Sequence, residues 1–382
     1  MGALTVRGLT KRFGRTTAVD GVDLDVRDGE FFVVLGPSGA GKTTTLKSVA
    51  GLIDVDAGEV SIAGRSMTGV EPYHRNVAMA FESYALYPQK TVFENLASPL
   101  RSGRTGTYTP AQQKERIEAV AGTLGIGTLL ARLPRELSNG QRQRVALGRV
   151  LVRPADVYLL DEPLSHLDAK LRAQMRVELK QLGEMSSTTS LYVTHDYQEA
   201  LALGDRIAVL RAGRVVQIGT PLEIWNTPVD TFVARSLGQP EINLFDADVV
   251  DGAVRAAAGA IALPVPAGLD LPGDRARIGL RPRDLRVVAD GPGAPGTLRF
   301  DGADPQTERL GRLVELTVDV GDRLVVVVTE HPVAEGAAVH LEIPLEHVHL
   351  FAAADGGTDG PRLGSGRPTA RPPVAALPGE DA

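Results

Sequence analysis

Phe31-Phe32-Val33-Val34-Leu35-Gly36-Pro37-Ser38-Gly39-Ala40-Gly41-Lys42-Thr43-Thr44 is the stretch on which the fold turns. Five consecutive apolar residues suit a strand covered on both faces, as in a parallel sheet flanked by helices. Gly36 to Thr43 fits G-x-x-x-x-G-K-[ST], and a helical pattern runs on from Gly41 to about Ala50. Strand, glycine loop and helix in that order are the context a phosphate-binding loop requires. Gly36, Gly39 and Gly41 let the main chain wrap closely around phosphate, where a Cβ would block the approach or the unusual dihedrals. The amides of the loop and of the helix N-terminus then face anionic oxygen. The segment Gly36, Pro37, Ser38, Gly39, Ala40, Gly41, Lys42, Thr43 and Thr44 is therefore read as the nucleotide cradle, with Lys42 reaching the β and γ phosphates and the Thr43 hydroxyl ligating Mg²⁺.

Downstream, Val157-Tyr158-Leu159-Leu160-Asp161-Glu162-Pro163 is a second buried strand, delivering two adjacent carboxylates at its C-terminal end. Ligands of open parallel sheets gather at that end. Asp161 is expected to hold Mg²⁺ through water, and Glu162 to polarise an attacking water. Around these motifs strands and helices alternate. Pro110 opens one helix, Arg142–Val152 forms another, and a further helix runs from about Ala169 to Met185. This predicts a doubly wound α/β domain over residues 1–237. From about Glu241 the texture changes to short Val-rich segments separated by Gly, Pro and Asp, which predicts a small antiparallel β-barrel or barrel pair over 238–352. Residues 353–382 are rich in Gly and Pro and poor in large apolar side chains, and are expected to be a disordered tail.

The 382 residues suffice for about two domains. Lys and Arg number 41 and Asp and Glu 47, a net charge of −6. That balance argues against a nucleic-acid partner. There is no cysteine, which excludes disulfides, thiolate zinc sites, iron-sulfur clusters and cysteine nucleophiles and fits a reducing compartment. No secretory signal or membrane-length apolar run is present, so any membrane role is expected to come through a partner.

Leu137-Ser138-Asn139-Gly140-Gln141, followed by Arg142-Gln143-Arg144-Val145, opens a helix just ahead of the acidic strand. The ordered set of motifs over residues 3 to about 237 resembles the ABC ATPases, whose signature usually has Gly where Asn139 stands. The resemblance implies that Phe13 stacks on adenine, that Ser165-His166-Leu167-Asp168 communicates across a dimer, and that His195 contacts the γ-phosphate. It also implies that Ser138, Asn139, Gly140 and Gln141 complete the site of the opposite subunit, so that ATP is sandwiched between one subunit's phosphate loop and the other's signature. With one cassette, the chain is expected to pair with itself or with a second ABC ATPase. In Ala80-Phe81-Glu82-Ser83-Tyr84-Ala85-Leu86-Tyr87-Pro88 the family usually has Gln at Glu82, a side chain that touches Mg²⁺ and the attacking water and relays to the membrane subunit. A carboxylate can ligate Mg²⁺ but, when ionised, donates no hydrogen bond, so altered hydrolysis or coupling is expected.

Gly279-Leu280-Arg281-Pro282-Arg283-Asp284-Leu285, Glu308-Arg309-Leu310-Gly311 and His349-Leu350-Phe351 look like the OB-like TOBE region of importer ATPases, especially the carbohydrate-importing, maltose-type branch. Arg75-Asn76-Val77-Ala78-Met79 and Thr220-Pro221 before Ile224-Trp225 agree with that branch, and Trp225 is expected to pack between the two domains. The fold class implied is α/β: a P-loop ABC ATPase cassette followed by a C-terminal all-β OB-like (TOBE) domain. The function implied is the ATP-hydrolysing, energy-coupling subunit of an importer for a carbohydrate or related polyol, at the cytoplasmic face of the membrane. Its partners would be two integral-membrane permease subunits and, indirectly, a solute-binding protein. Import of polyamines or ions, a regulatory role beside a second ATPase, and action on nucleic acid are the alternatives, the last disfavoured by the negative charge.

Overall fold

The computed structural model describes residues 4–81, 86–101, 108–165, 167–186, 188–334, 336–353 and 359–366. The chain divides into two compact units, Met1–Ile224 and Trp225–Ala382, the first ending ahead of the expected boundary at 237.

In the first unit, β1 (Leu4–Phe13), β2 (Thr16–Val26) and β3 (Phe31–Leu35) precede helix α1 (Lys42–Ala50). Then come β4 (Ala57–Ile62), β5 (Arg65–Ser66), β6 (Val77–Ala80), α2 (Val92–Ala97), α3 (Pro110–Thr123) and α4 (Asn139–Leu151). β7 (Val157–Asp161), α5 (Ala169–Ser186), β8 (Thr189–Thr194), α6 (Tyr197–Leu203), β9 (Arg206–Arg211) and β10 (Arg214–Gly219) complete it. One sheet is antiparallel, in the order β2-β1-β4-β5. The other runs β10-β9-β3-β8-β7-β6 and is parallel except for β10. Every residue of β3, β7 and β8 is buried, as strands covered on both faces require.

Local sequence sets the helix ends. Thr91 with Glu94, Thr109 with Gln112, and Ser138 with Gln141 each form a capping box, so two amides per helix start are satisfied by side chains. The Ser138 box starts α4 at Asn139, three residues before the Arg142 read from periodicity. Helix α1 stops at Gly51, whose left-handed backbone (φ 76°) returns its N–H to the carbonyls of Lys47 and Ser48. The Arg75 guanidinium adds bonds to the carbonyls of Ser48 and Val49 at 3.1 and 3.0 Å, closing the end opposite the phosphate loop.

Helix α7 (Pro221–Asn226) and helix α8 (Thr231–Arg235) lead into the strands of the second unit. These are β11 (Asn243–Val250), β12 (Ala253–Ala256), β13 (Ile261–Pro264), β14 (Arg275–Leu280), β15 (Arg286–Val288) and β16 (Thr297–Leu310). They continue with β17 (Leu313–Val320), β18 (Arg323–Thr329), β19 (Val339–Pro344), β20 (His349–Ala352) and β21 (Arg362–Ser365). Two antiparallel sheets, β13-β12-β11-β14-β20-β21 and β15-β19-β16-β17-β18, share one apolar core that includes Ile278, Leu280, Leu316, Val318 and Leu341. Among the described residues, the second unit is thus all-β beyond its entry helices, apart from 3-10 turns at Ala257–Gly259 and Leu345–His347. Trp225 belongs to it: Arg281, 2% exposed, lies 4.0 Å over the indole and donates to the carbonyls of Trp225 and Leu237 at 2.9 and 2.8 Å.

The tail expected from residue 353 is structured in part. Strand β21 pairs with β20, Leu363 packs on the core, and Asp359 bonds Arg235 at 2.8 Å. Composition misleads here because main-chain pairing needs no apolar side chains.

Candidate functional site

Parallel register brings three strand ends together. Leu35 of β3 pairs with Thr194 of β8, and Asp161 of β7 pairs with Val193 of the same strand. The residues that follow, Gly36, His195 and Glu162, therefore emerge side by side at the C-terminal edge of the sheet, where an open α/β fold gathers its ligands.

The loop from Gly36 to Thr44 takes its shape from glycine, with Gly39 left-handed at φ 80°. A Cβ at Gly36 would stand 2.5 Å from the carbonyl oxygen of Leu210, and Gly41, at φ 101°, would drive one into the carbonyl of Ala18. Pro37, Ser38 and Gly39 are exposed while Ala40 is buried, and the Ala40 carbonyl accepts from Gly213 N–H at 3.0 Å. The Lys42 ammonium, 5% exposed, donates to the carbonyls of Gly36 at 2.9 Å and Pro37 at 3.0 Å and lies 3.5 Å from Glu162 Oε1. The Thr43 hydroxyl donates to Asp161 Oδ1 at 2.9 Å.

Glu162 is the centre of the constellation. Its other oxygen, Oε2, is 2.7 Å from His195 Nδ1, so one carboxylate spans a lysine and an imidazole. Its backbone is left-handed, φ 43°, a conformation that costs a side chain of this size about 1–3 kcal/mol. Neighbouring bonds hold it there: Glu162 N–H donates to Val193 O at 3.0 Å, while its carbonyl accepts from the N–H and hydroxyl of Ser165 at 3.2 and 2.9 Å. Gln143 of α4, 3% exposed, donates to the Pro163 carbonyl, fixing the turn from a second side.

The remaining described candidates are held by contacts of their own. Ser138 caps α4 by accepting from Gln141 N–H at 3.3 Å, and its own N–H donates to Gln141 Oε1 at 3.0 Å. Asn139 Oδ1 accepts from Arg142 at 3.4 Å, and Gly140 packs where a Cβ would meet Leu171 and Leu167 at 3.1 and 3.3 Å. Asp168 Oδ1 accepts from Leu171 N–H at 2.9 Å, at the start of α5. Phe13 is 50% exposed, with the Lys11 ammonium 5.4 Å from its ring centre. Glu82 and His166 lie outside the described residues.

Periodicity and motif spacing miss one buried network beside His195. Glu199, 2% exposed, accepts from the hydroxyls of Tyr192 and Thr194 at 2.8 and 2.7 Å, and burial raises its pKa against the opposing effect of those two donors. The available signal is its placement: Glu199, Ala200 and Leu203 share the buried face of α6, and a carboxylate on an otherwise apolar face needs partners.

A magnesium ion fits the donor set. Thr43 and Asp161 present adjacent hard oxygens, and Mg²⁺ is commonly held by one or two protein oxygens plus phosphate and water rather than by a full protein cage. Among the described residues no group of three or more His, Cys, Asp or Glu could form such a cage, and no helix is long and apolar enough to cross a membrane.

Comparison with known proteins identifies the family. Residues 19–165 match the family model described as ABC transporter. The chain is 42% identical over 360 residues to an sn-glycerol-3-phosphate import ATP-binding protein, UgpC 2, of Rhizobium johnstonii, covering 93% of this chain and 99% of that protein. It is 43% identical to the protein of the same description, UgpC, in Cereibacter sphaeroides, again over 93% and 99%. Among solved structures it is similar to a dimeric ATP-binding cassette in a post-hydrolysis state bound to ADP and Pi, with TM-score 0.52 and 29% identity over 57% of this chain and 98% of the other. The chain thus carries an ATP-binding cassette and belongs to the ABC transporter family as an ATP-hydrolysing import subunit.

Proposed function

We propose that the chain powers uptake of sn-glycerol 3-phosphate or a closely related polyol or carbohydrate, as a dimer seated on two permease subunits at the cytoplasmic face of the membrane. A solute-binding protein would deliver the substrate from the other side. The observation that carries the hydrolytic reading is Glu162 held between Lys42 at 3.5 Å and His195 at 2.7 Å, at the end of the phosphate loop's own sheet. Lys42 would neutralise the β and γ phosphates. Glu162 would take the proton of an attacking water while the γ-phosphoryl group leaves ADP as inorganic phosphate, and His195 would hold a γ-phosphate oxygen. Thr43 and Asp161 would hold Mg²⁺, which when bound neutralises charge on the phosphates. Phe13 would stack on adenine, Ser138, Asn139, Gly140 and Gln141 would meet the nucleotide of the opposite subunit, and Asp168 would face the dimer partner.

Relatives described as sn-glycerol-3-phosphate importers, aligned over nearly their whole length, support the substrate class. The test is co-purification with candidate permeases, reconstitution in liposomes, and uptake of labelled sn-glycerol 3-phosphate against maltose and a polyamine. ATP-dependent uptake of the glycerol phosphate, lost in Glu162→Gln, is expected. Uptake of the polyamine alone would refute the substrate class, and undiminished hydrolysis by Glu162→Gln would refute the role of that residue.

A further inference from the structure

One side chain fastens together the two segments that border Glu162. Arg172, in the first turn of α5, sends one guanidinium nitrogen to Asp196 Oδ2 at 3.2 Å and another to the Leu167 carbonyl at 3.0 Å, while its backbone N–H donates to the Asp168 carbonyl at 2.8 Å. Leu167, whose N–H donates to the Leu164 carbonyl at 3.2 Å, and Asp168 follow Ser165, which holds the Glu162 carbonyl. Asp196 directly follows His195, whose imidazole holds the Glu162 carboxylate. The two oxygens of Asp196 divide their work: Oδ1 caps α6 by accepting from Gln198 and Glu199 N–H at 2.7 and 3.3 Å, and Oδ2 is left to Arg172. On the other side of His195, Thr194 donates to the buried Glu199 and accepts from Asp196 N–H at 3.0 Å. The main chain around His195 is therefore pinned before it by Glu199 and after it by Arg172. A guanidinium suits this place because its donors form a rigid planar fork, which fixes the relation of two acceptors as an ammonium does not.

We propose that Arg172 is a positioning residue for hydrolysis, locking the Leu167–Asp168 segment and the His195 turn into one unit, so that a displacement of the first resets His195 against Glu162. The proposal rests on the roles given above to Glu162 and His195. Arg172 acts on the rate through these two segments.

The test uses the full-length chain carrying Arg172→Met, Arg172→Lys, Asp196→Asn, or Arg172→Met with Asp196→Asn. Steady-state kcat and KM for ATP are measured beside the affinity for a fluorescent ATP analogue. Arg172→Met is expected to lower kcat about tenfold, as a small misplacement of reacting groups does, with KM and analogue affinity within about twofold. Arg172→Lys, which keeps the charge, should recover part of the loss. Asp196→Asn keeps the α6 cap and should lower kcat to a similar degree, and the double variant should fall no further than Arg172→Met, because both changes break one link. A kcat for Arg172→Met within about twofold of wild type, a parallel fall of kcat and analogue affinity, or fully multiplicative losses in the double variant would each overturn the proposal. If Arg172→Met does not fold, Arg172→Lys and Asp196→Asn decide by the same criteria. Glu162→Gln and His195→Ala, assayed alongside, separate the two levels: wild-type hydrolysis in both refutes the site reading itself, whereas loss in both with Arg172→Met unaffected refutes only the lock.

Discussion

Replacing Thr43 by valine removes one hydroxyl and keeps the branched shape of the side chain, so its consequences can be worked from a single contact. The hydroxyl donates to Asp161 Oδ1 at 2.9 Å, and Asp161 is only 5% exposed. A hydrogen bond to a charged group contributes about 1.5–3 kcal/mol net, and a buried carboxylate that loses a donor is not compensated by water. Thr43→Val should therefore destabilise the nucleotide-free chain by about 2 kcal/mol, or about 4–8 °C in Tm for a cooperative unit of this size. The same change deletes one of the two adjacent oxygens that fit Mg²⁺. ATP affinity, measured by titration with Mg²⁺ and again with EDTA, should differ strongly between the two conditions in the wild type and much less in Thr43→Val. Unchanged melting would show that Asp161 does not depend on this donor. An unchanged response to Mg²⁺ would remove Thr43 from the metal site even if the stability loss is found.

Three further outcomes are expected. Gly41→Ala should abolish binding of a fluorescent ATP analogue while far-UV circular dichroism stays native, since φ 101° and the Ala18 carbonyl leave no place for a Cβ; retained binding would refute the steric account of the loop. Glu82→Gln should change ATPase rate or coupling when measured with the permeases present, because it restores a hydrogen-bond donor and removes a negative charge; identical rates and coupling would sink that idea. His349 is buried beside Arg281, Arg362 and His347, and burial first, then the Arg281 and Arg362 guanidinium groups, push its pKa down to about 3. Its neutral form is favoured in the fold, so its contribution is fully present above the unfolded value of 6.5 and is lost as pH falls from there toward 3, by about 1.4 kcal/mol per pH unit. Urea denaturation of wild type and His349→Phe between pH 7 and about 4.5 should show the shallower pH dependence in the variant, and parallel curves would count against a buried neutral histidine.

The parts of the site that lie on main-chain geometry were legible in the sequence. A five-residue apolar run ending in glycine can hardly be other than a buried strand, and G-x-x-x-x-G-K-T ties the loop to that strand and to the helix after it; β3, the loop and α1 follow in that order. Asp161 and Glu162 were legible for the same reason. What escaped is polar and long-range. Arg172, Asp196 and Glu199 belong to no spaced pattern, because a salt bridge or buried carboxylate needs only a partner in space. Strand β21 escaped for a related reason: its pairing partner β20 and the Asp359–Arg235 link cannot be read from a composition dominated by glycine and proline.

The division between convergent and non-convergent residues has its own logic. Lys42, Thr43, Asp161, Glu162 and His195 are drawn together by the register of β3, β7 and β8, which one chain can provide. The signature residues cannot join them by the same means, since α4 starts from a capping box whose side-chain bonds are local. That box uses two amides, whereas the first-turn amides at Asn139 and Gly140 have no carbonyl in the helix ladder to meet. A helix N-terminus of this kind favours an anion. On the proposed reading that anion is the nucleotide of the opposite subunit, and it follows that Ser138→Ala and Glu162→Gln should act on different sites. Mixed dimers carrying each change in a separate subunit should then keep one of the two sites free of both substitutions, while dimers carrying both changes in every subunit keep none.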